Sequence, residues 1–216
     1  MGQELDLLVK YPRTKRDPAA RASSKTRDDV DIARRFGQEF FDGERRHGYG
    51  GYNYDQSRWD GVVDDFLNVY EPRSVLDVGC AKGHMLYDFR RHKPKMRLAG
   101  IDVSIYAIKN ALPKIKKYVK VCNAECLPYE AKEFDLVISI NTIHNLPRRG
   151  VIKALREIER VGTHGYVTVD AYRTEEQKKA VFDWNLTALT ILSCDEWLEL
   201  FERAGYTGDY SWWMPT

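Results

Sequence analysis

Long hydrophobic runs, clustered cysteines and a dominant charge sign are all missing from this chain of 216 residues, and each absence removes a class of protein. No window of about eighteen apolar residues exists, so no membrane-spanning helix is expected. Met1 to Lys10 also lacks the apolar stretch of a signal peptide. Four cysteines, Cys80, Cys122, Cys126 and Cys194, match no zinc pattern of paired C-x-x-C motifs, and free thiols in a reducing, cytoplasmic compartment are expected. Asp170, His144 and the acids near Glu125 form no recognisable ligand spacing, so no metal is expected. A net charge of +2 argues against nucleic acid as the main partner. The basic runs Arg13–Arg16, Arg45–His47, Arg90–Lys93 and Lys114–Lys117 read as solvated helix ends. There is no internal repeat. What is present is a globular balance, 43% hydrophobic and 31% charged, in a length that suits one domain with an appendage, and hence one active site.

Residues up to about Lys25 mix prolines, serines and charges with no period that buries a face, and predict an extended or loosely packed arm. Thr26 can cap a helix over 27–41, with Ile32, Phe36 and Phe40 on one face and Gly43 as its stop. A glycine-and-tyrosine stretch follows, "HGYGGYNYDQSRWDG" (47–61), and then a second helix marked by Val62, Val63, Phe66, Leu67 and Tyr70 and ended by Pro72. The expected division is an arm, helix and lid over 1–60 and a catalytic domain over 61–216.

From residue 74 the pattern alternates. Short β-branched runs at 74–79, 96–102, 118–124, 134–140 and 165–170 are separated by helical segments at about 83–92, 104–117 and 148–160. A helix at 195–204 and a strand at 209–214 close the chain. This alternation predicts an α/β fold with a mostly parallel central sheet and helices on both faces, Rossmann-like, with an N-terminal helical and lid extension.

Ligands of open α/β sheets bind beyond the carboxyl ends of the strands. The first exit, "LDVGCAKGHML", has Gly79 and Gly83 flanking a turn into a helix, where free backbone N–H groups meet a polar ligand. A nicotinamide fingerprint needs glycine at 81 and glycine or alanine at 84, but the chain has Ala81 and His84. Asp77 repels a pyrophosphate, whereas the zwitterionic methionine end of S-adenosylmethionine (SAM) offers it an ammonium group. Asp102, at the second exit, suits both hydroxyls of a ribose. Asn123, at the third, suits an adenine edge, with Ala124 and Leu127 as apolar neighbours.

The segments "VLDVGCAKG", "GIDVS", "NAECLPY" and "FDLVISINTIHNL", in this order, resemble the successive motifs of class I SAM-dependent methyltransferases. The resemblance implies SAM across the strand ends, with Asp77 and Gly79 at its methionine moiety, Asp102 on its ribose, and Asn123 and Ala124 beside adenine. Cys80, Gly83 and Val103, within the same motifs, join the expected cofactor contacts. Two departures stand out. Ala81 replaces the middle glycine of the usual G-x-G-x-G, which is tolerable if residue 81 keeps a negative φ. One final strand stands where the family commonly has an antiparallel pair. The flanks, including "FGQEFFDGERRHGYGGYNYDQSRW" and "GYTGDYSWW", are similar to small bacterial methyltransferases of polysaccharide or natural-product biosynthesis.

Methyl transfer from a sulfonium asks the protein for alignment, a dry pocket and, for a hydroxyl acceptor, a base. His144, four residues past the fourth strand, is the candidate base; the alternative is that it bonds neighbouring backbone and shapes the pocket. Asn141 either touches the methionine part of SAM or the acceptor, or caps the helix near Pro147. Arg148 and Arg149 read first as solvated first-turn arginines, with contact to an acceptor phosphate as the alternative, and Trp184 with Asn185 forms either a substrate wall or, for Trp184, part of the core. In the tyrosine stretch Gly48, Gly50 and Gly51 allow close approach. Tyr52 is expected on the cofactor and Tyr54 at the reacting groups of a lid. The expected activity is methylation of oxygen or nitrogen on a small polar metabolite: a sugar, nucleotide sugar or natural-product intermediate. The rivals are a protein or RNA methyltransferase of the same fold and a non-catalytic SAM-binding partner subunit. The sequence leaves a homodimer open.

Overall fold

A computed structural model describes residues 2–13 and 16–214; Thr14 and Lys15, within the basic run Arg13–Arg16, lie outside the described residues. Five parallel strands form the heart of the sheet: β1 (Ser74–Val78), β2 (Arg97–Asp102), β3 (Val119–Val121), β4 (Phe134–Ile140) and β5 (Gly162–Tyr172), in the spatial order β3-β2-β1-β4-β5. Two further strands, β6 (Leu192–Ser193) and β7 (Asp209–Trp213), both pair with β5, and both run parallel to it. The chain's start completes that edge: Glu4 bridges to Tyr210, and Leu5 N–H donates to the Tyr210 carbonyl at 2.8 Å. The single last strand is therefore backed by the N-terminal segment.

Parallel neighbours need crossovers, and helices supply them on both faces. Alternation along each strand divides the core. Leu76, Ile101, Val137 and Val167 face α7 (Arg148–Val161) and α9 (Cys194–Ala204), whereas Val75, Leu98, Leu136 and Ile138 face α4 (Gln56–Tyr70) and α5 (His84–His92). Val62, Val63 and Phe66 on α4 are fully buried. Each such side chain stabilises the fold by about 1.5–3 kcal/mol relative to exposure. A Ser193–Glu196 capping box starts α9, and its Trp197 indole N–H donates to the Asp170 carbonyl at 2.9 Å.

Three expectations need correction. The arm up to Lys25 is integrated rather than loose: Leu7 is buried, and α1 (Pro18–Ser24) is held by Lys25, whose Nζ donates to the carbonyls of Phe182, Asp183 and Asn185. Those residues end or follow α8 (Glu175–Trp184), a helix not expected from the sequence and started by a Thr174–Gln177 capping box. The helix expected over 27–41 is two pieces, α2 (Arg27–Ala33) and α3 (Gln38–Phe41). Between them Phe36 takes a φ of 47° and its carbonyl accepts from Ser104 Oγ. The helix expected over 104–117 stops early as α6 (Ile105–Lys109), ahead of Pro113, which cannot continue it.

Candidate functional site

A cleft of about 1160 Å³ opens at the carboxyl ends of β1, β2, β4 and β5 and is roofed by the N-terminal segments. Its floor begins at the β1 exit. Gly79 has a φ of 91°, and a Cβ there would lie 2.0 Å from Thr142 Oγ1, so only glycine fits. Gly79 and Cys80 both donate to the Ile101 carbonyl, which pins the turn to β2. Ala81 has a φ of 48°, against the negative value expected, and its N–H donates to Asp102 Oδ2 at 2.8 Å. The turn keeps the left-handed geometry of a glycine, and alanine carries the strain.

Asp77 is buried, lines the cleft and has no hydrogen-bond partner among the described residues. Burial, reinforced by the Asp102 charge, pushes its carboxyl up to about 8. Asp102 is raised by burial too, although the N–H groups of Ser104 and Ala81 favour its ionised form. Each of its oxygens uses one lone pair on these amides and keeps another for a ligand hydroxyl. Val103, 58% exposed, follows it on the cleft wall. Asn123 Oδ1 accepts from Glu125 N–H at 3.0 Å, which leaves the amide NH₂ to donate beside the buried Ala124. Asn141 holds a φ of 50°, and its buried Oδ1 has no partner among the described residues. An unpaired acid, an orphaned amide oxygen and a carboxylate with spare lone pairs fit a ligand carrying an ammonium group and hydroxyls.

The roof is aromatic. Tyr52 stacks on His84 at 4.6 Å and 7°, touches Tyr49 and Phe41, and lines the cleft, with burial raising its phenol well above the ordinary value. Asp42 ties this roof down by accepting from Tyr52 N–H at 3.0 Å, Lys82 Nζ at 2.6 Å and the Tyr106 hydroxyl at 2.6 Å.

Two expected site residues turn away from the cleft. Tyr54 donates its hydroxyl to Asp88 on α5, beside Arg91, and burial with that carboxylate raises the phenol to about 12. It braces the roof against α5. Gly83 is likewise off the wall: its φ of 76° starts α5, with Ile115 packed where a side chain would go.

His144 lines the cleft. Its Nδ1 accepts from Asp170 N–H at 3.0 Å, so the proton of the neutral ring sits on Nε2. Burial lowers its affinity for a second proton, against the pull of Asp170. In this tautomer Nε2 carries a donor hydrogen, and the Asp170 carboxylate lies 3.4 Å from Nδ1. Arg148 leans on Glu196 at 3.5 Å and Arg149 is exposed, both outside the cleft, whereas Trp184 and Asn185 line it as expected.

An open parallel sheet with an acid-lined cleft at its strand exits is the architecture of the class I methyltransferase fold. Residues 72–205 match the methyltransferase-domain family, and the chain belongs to that family, with SAM as its cofactor. It is 39% identical to the uncharacterized protein MJ1252 of Methanocaldococcus jannaschii over 87 residues, which is 40% of this chain and 32% of that one. It is 30% identical to a malonyl-[acyl-carrier protein] O-methyltransferase of Legionella pneumophila over 94 residues, 42% of this chain and 32% of the relative. The chain thus spans about a third of the length of these two relatives. Among solved structures the [4+2]-cyclase SpnF superposes with a TM-score of 0.55 at 22% identity, over 71% of this chain and 58% of the other, a likeness of fold. No helix among the described residues is long and apolar enough to cross a membrane.

Proposed function

We propose that the chain transfers the methyl group of SAM to an oxygen or nitrogen of a small polar metabolite, of the sugar, nucleotide-sugar or natural-product kind. The observation that carries this reading is the continuity of the cleft. Asp77, Asp102 and Asn141 occupy one half, and the same space runs on past His144 to Asp170, Trp184 and Trp213. At about 1160 Å³ it exceeds the roughly 300–1,000 Å³ of a one-ligand pocket, so a cofactor and an acceptor fit side by side. Arg16, Arg21, Arg45 and Tyr49 of the N-terminal segments line the acceptor half, which favours a compact acceptor over an extended chain of protein or RNA.

Asp77 and Asn141 hold the methionine end of the cofactor, Asp102 its ribose, and Val103, Asn123 and Ala124 its adenine. Cys80 and Tyr52 close the apolar walls around them. The sulfonium supplies an electrophilic methyl, and its transfer neutralises the donor. His144 Nε2–H then orients the acceptor by donating to it. Asp170, buried, lining the cleft and raised by that burial despite His144 and Asn185, would take the acceptor's proton in this reading. The test is release of S-adenosylhomocysteine from SAM when a cell extract is split by ultrafiltration. Release driven by the small-molecule fraction supports the reading, and release driven by the macromolecular fraction alone overturns it.

A further inference from the structure

We infer that the acceptor half of the cleft binds a compact phosphate-type anion, a phosphate or pyrophosphate carried by the acceptor, on three guanidinium groups gathered around Trp184: Arg16, Arg21 and Arg45. The anion's being part of the methyl acceptor rests on the function proposed above; the anion site itself does not.

The charge distribution is lopsided. Of the arginines lining the cleft, Arg13 pairs with Asp6, Arg58 with Asp55 and Arg173 with Glu4. Arg16, Arg21, Arg34, Arg35 and Arg45 have no carboxylate partner among the described residues. Three of these five converge on one indole. The guanidinium carbons of Arg21, Arg16 and Arg45 lie 4.7, 5.3 and 5.5 Å from the Trp184 ring centroid, and Arg16 also stacks on Trp213 at 4.5 Å.

Three like charges in one place repel, and here they are also partly dehydrated. The Nε atoms of Arg16 and Arg21 are buried without a partner. Desolvation, followed by the charge of Arg45, holds both guanidiniums below the usual arginine range, Arg21 at about 10. Asp170 opposes this weakly at Arg16. Stacking on the indoles offsets part of the cost. It also leaves the terminal N–H donors that are not already given to backbone carbonyls, as Arg21 Nη2 is to Arg46 and Arg45 Nη1 to Gly48, to meet an oxyanion.

The array is built rather than dangling. Lys25, at the end of α1, fastens Arg21's helix to the carbonyls around Trp184 at 2.9, 3.0 and 3.1 Å, and Arg45 Nη1 is held by the Gly48 carbonyl. Segments far apart in sequence are thus locked into one concentration of positive charge at the end of the cleft away from Asp77 and Asp102. A dianion there would receive several charge-assisted hydrogen bonds and remove the repulsion among its donors.

Calorimetry on the intact chain tests this with pyrophosphate, inorganic phosphate and acetate, each with and without S-adenosylhomocysteine. The expected result is saturable binding of pyrophosphate and phosphate and much weaker binding of acetate. Arg21→Gln and, separately, Arg45→Gln should weaken the phosphates about tenfold or more, the loss of one charge-assisted contact, while Arg149→Gln has no effect. S-Adenosylhomocysteine affinity reports whether each variant is folded. Absent saturation, equal binding of acetate, or an equal loss in Arg149→Gln overturns the site. Tighter binding of a short single-stranded oligonucleotide than of pyrophosphate overturns the compact-anion assignment. Failure of S-adenosylhomocysteine to bind while pyrophosphate still does removes the proposed function and leaves the anion site standing.

Discussion

Asp77 makes cofactor binding a proton-linked event. Burial, with the Asp102 charge behind it, sets the carboxyl at about 8 in the unliganded protein, so at pH 7 about nine molecules in ten carry the proton. An ammonium group beside Asp77 is attracted to the ionised form, so binding must expel that proton. Affinity for S-adenosylhomocysteine should therefore rise about tenfold from pH 6 to pH 7, equivalent to about 1.4 kcal/mol, and level off as the pH passes 8. Calorimetry in buffers of different ionisation enthalpy should find close to one proton released near pH 6.5. Asp77→Asn should flatten the profile, and Asp102→Asn should move it to lower pH by removing a neighbouring charge. The same shift acts on stability with a definite sign. The folded value lies above the unfolded one, so the stability this group contributes is complete below about pH 4 and is lost as the pH rises toward 8. Asp77→Asn should recover that loss in the unliganded protein. A wild-type affinity that is flat or falls between pH 6 and pH 7 would refute the reasoning.

Ala81→Gly should stabilise the protein by about 0.5–1 kcal/mol in urea unfolding: relief of a left-handed alanine, about 1–2 kcal/mol, exceeds the added chain entropy of glycine. No gain would mean that the turn carries no strain. Tyr54→Phe should leave cofactor affinity and turnover unchanged but cost about 1–2 kcal/mol in stability, because fully buried Asp88 already has one oxygen without a partner. Turnover lost at unchanged stability would return Tyr54 to the reaction centre. Asp42→Asn should speed proteolysis near Tyr52 by loosening the roof from Lys82 and Tyr106, with S-adenosylhomocysteine slowing it; cutting at the wild-type rate would show that the roof is held elsewhere.

The cofactor half of the cleft was readable because its parts lie at successive strand exits in chain order. Asp77 and Gly79, then Asp102, then Asn123, then Asn141 are proposed because each ends a β-branched apolar run, and the near-continuous burial of those runs, as in a sheet covered on both faces, is a local property of the sequence. The misreadings have tertiary causes. Phe36 looks like a helix interior until the Ser104 hydroxyl takes its carbonyl. Tyr54 looks like an active-site phenol until Asp88, 34 residues on, claims it. The tautomer of His144 depends on Asp170 N–H, 26 residues away. Only α8 left a local signal that was overlooked: Thr174 and Gln177 are spaced as a capping box.

The acceptor half was hidden for a deeper reason. Arg16, Arg21, Arg45, Trp184 and Trp213 share no motif or period, and each arginine alone reads as a solvated surface charge. Their meaning arises when α1 docks on α8 and brings like charges together at one indole. That half also carries the chemistry that the fold does not specify, since a [4+2]-cyclase has the same architecture. The two halves make opposite electrostatic demands: the Asp77–Asp102 end attracts a cation, and the Trp184 end attracts an anion. A cationic donor and an anionic acceptor placed at the wrong ends would meet like charge at both. Under the function proposed above, the cleft would set the order of its two ligands along its length, with His144 between them.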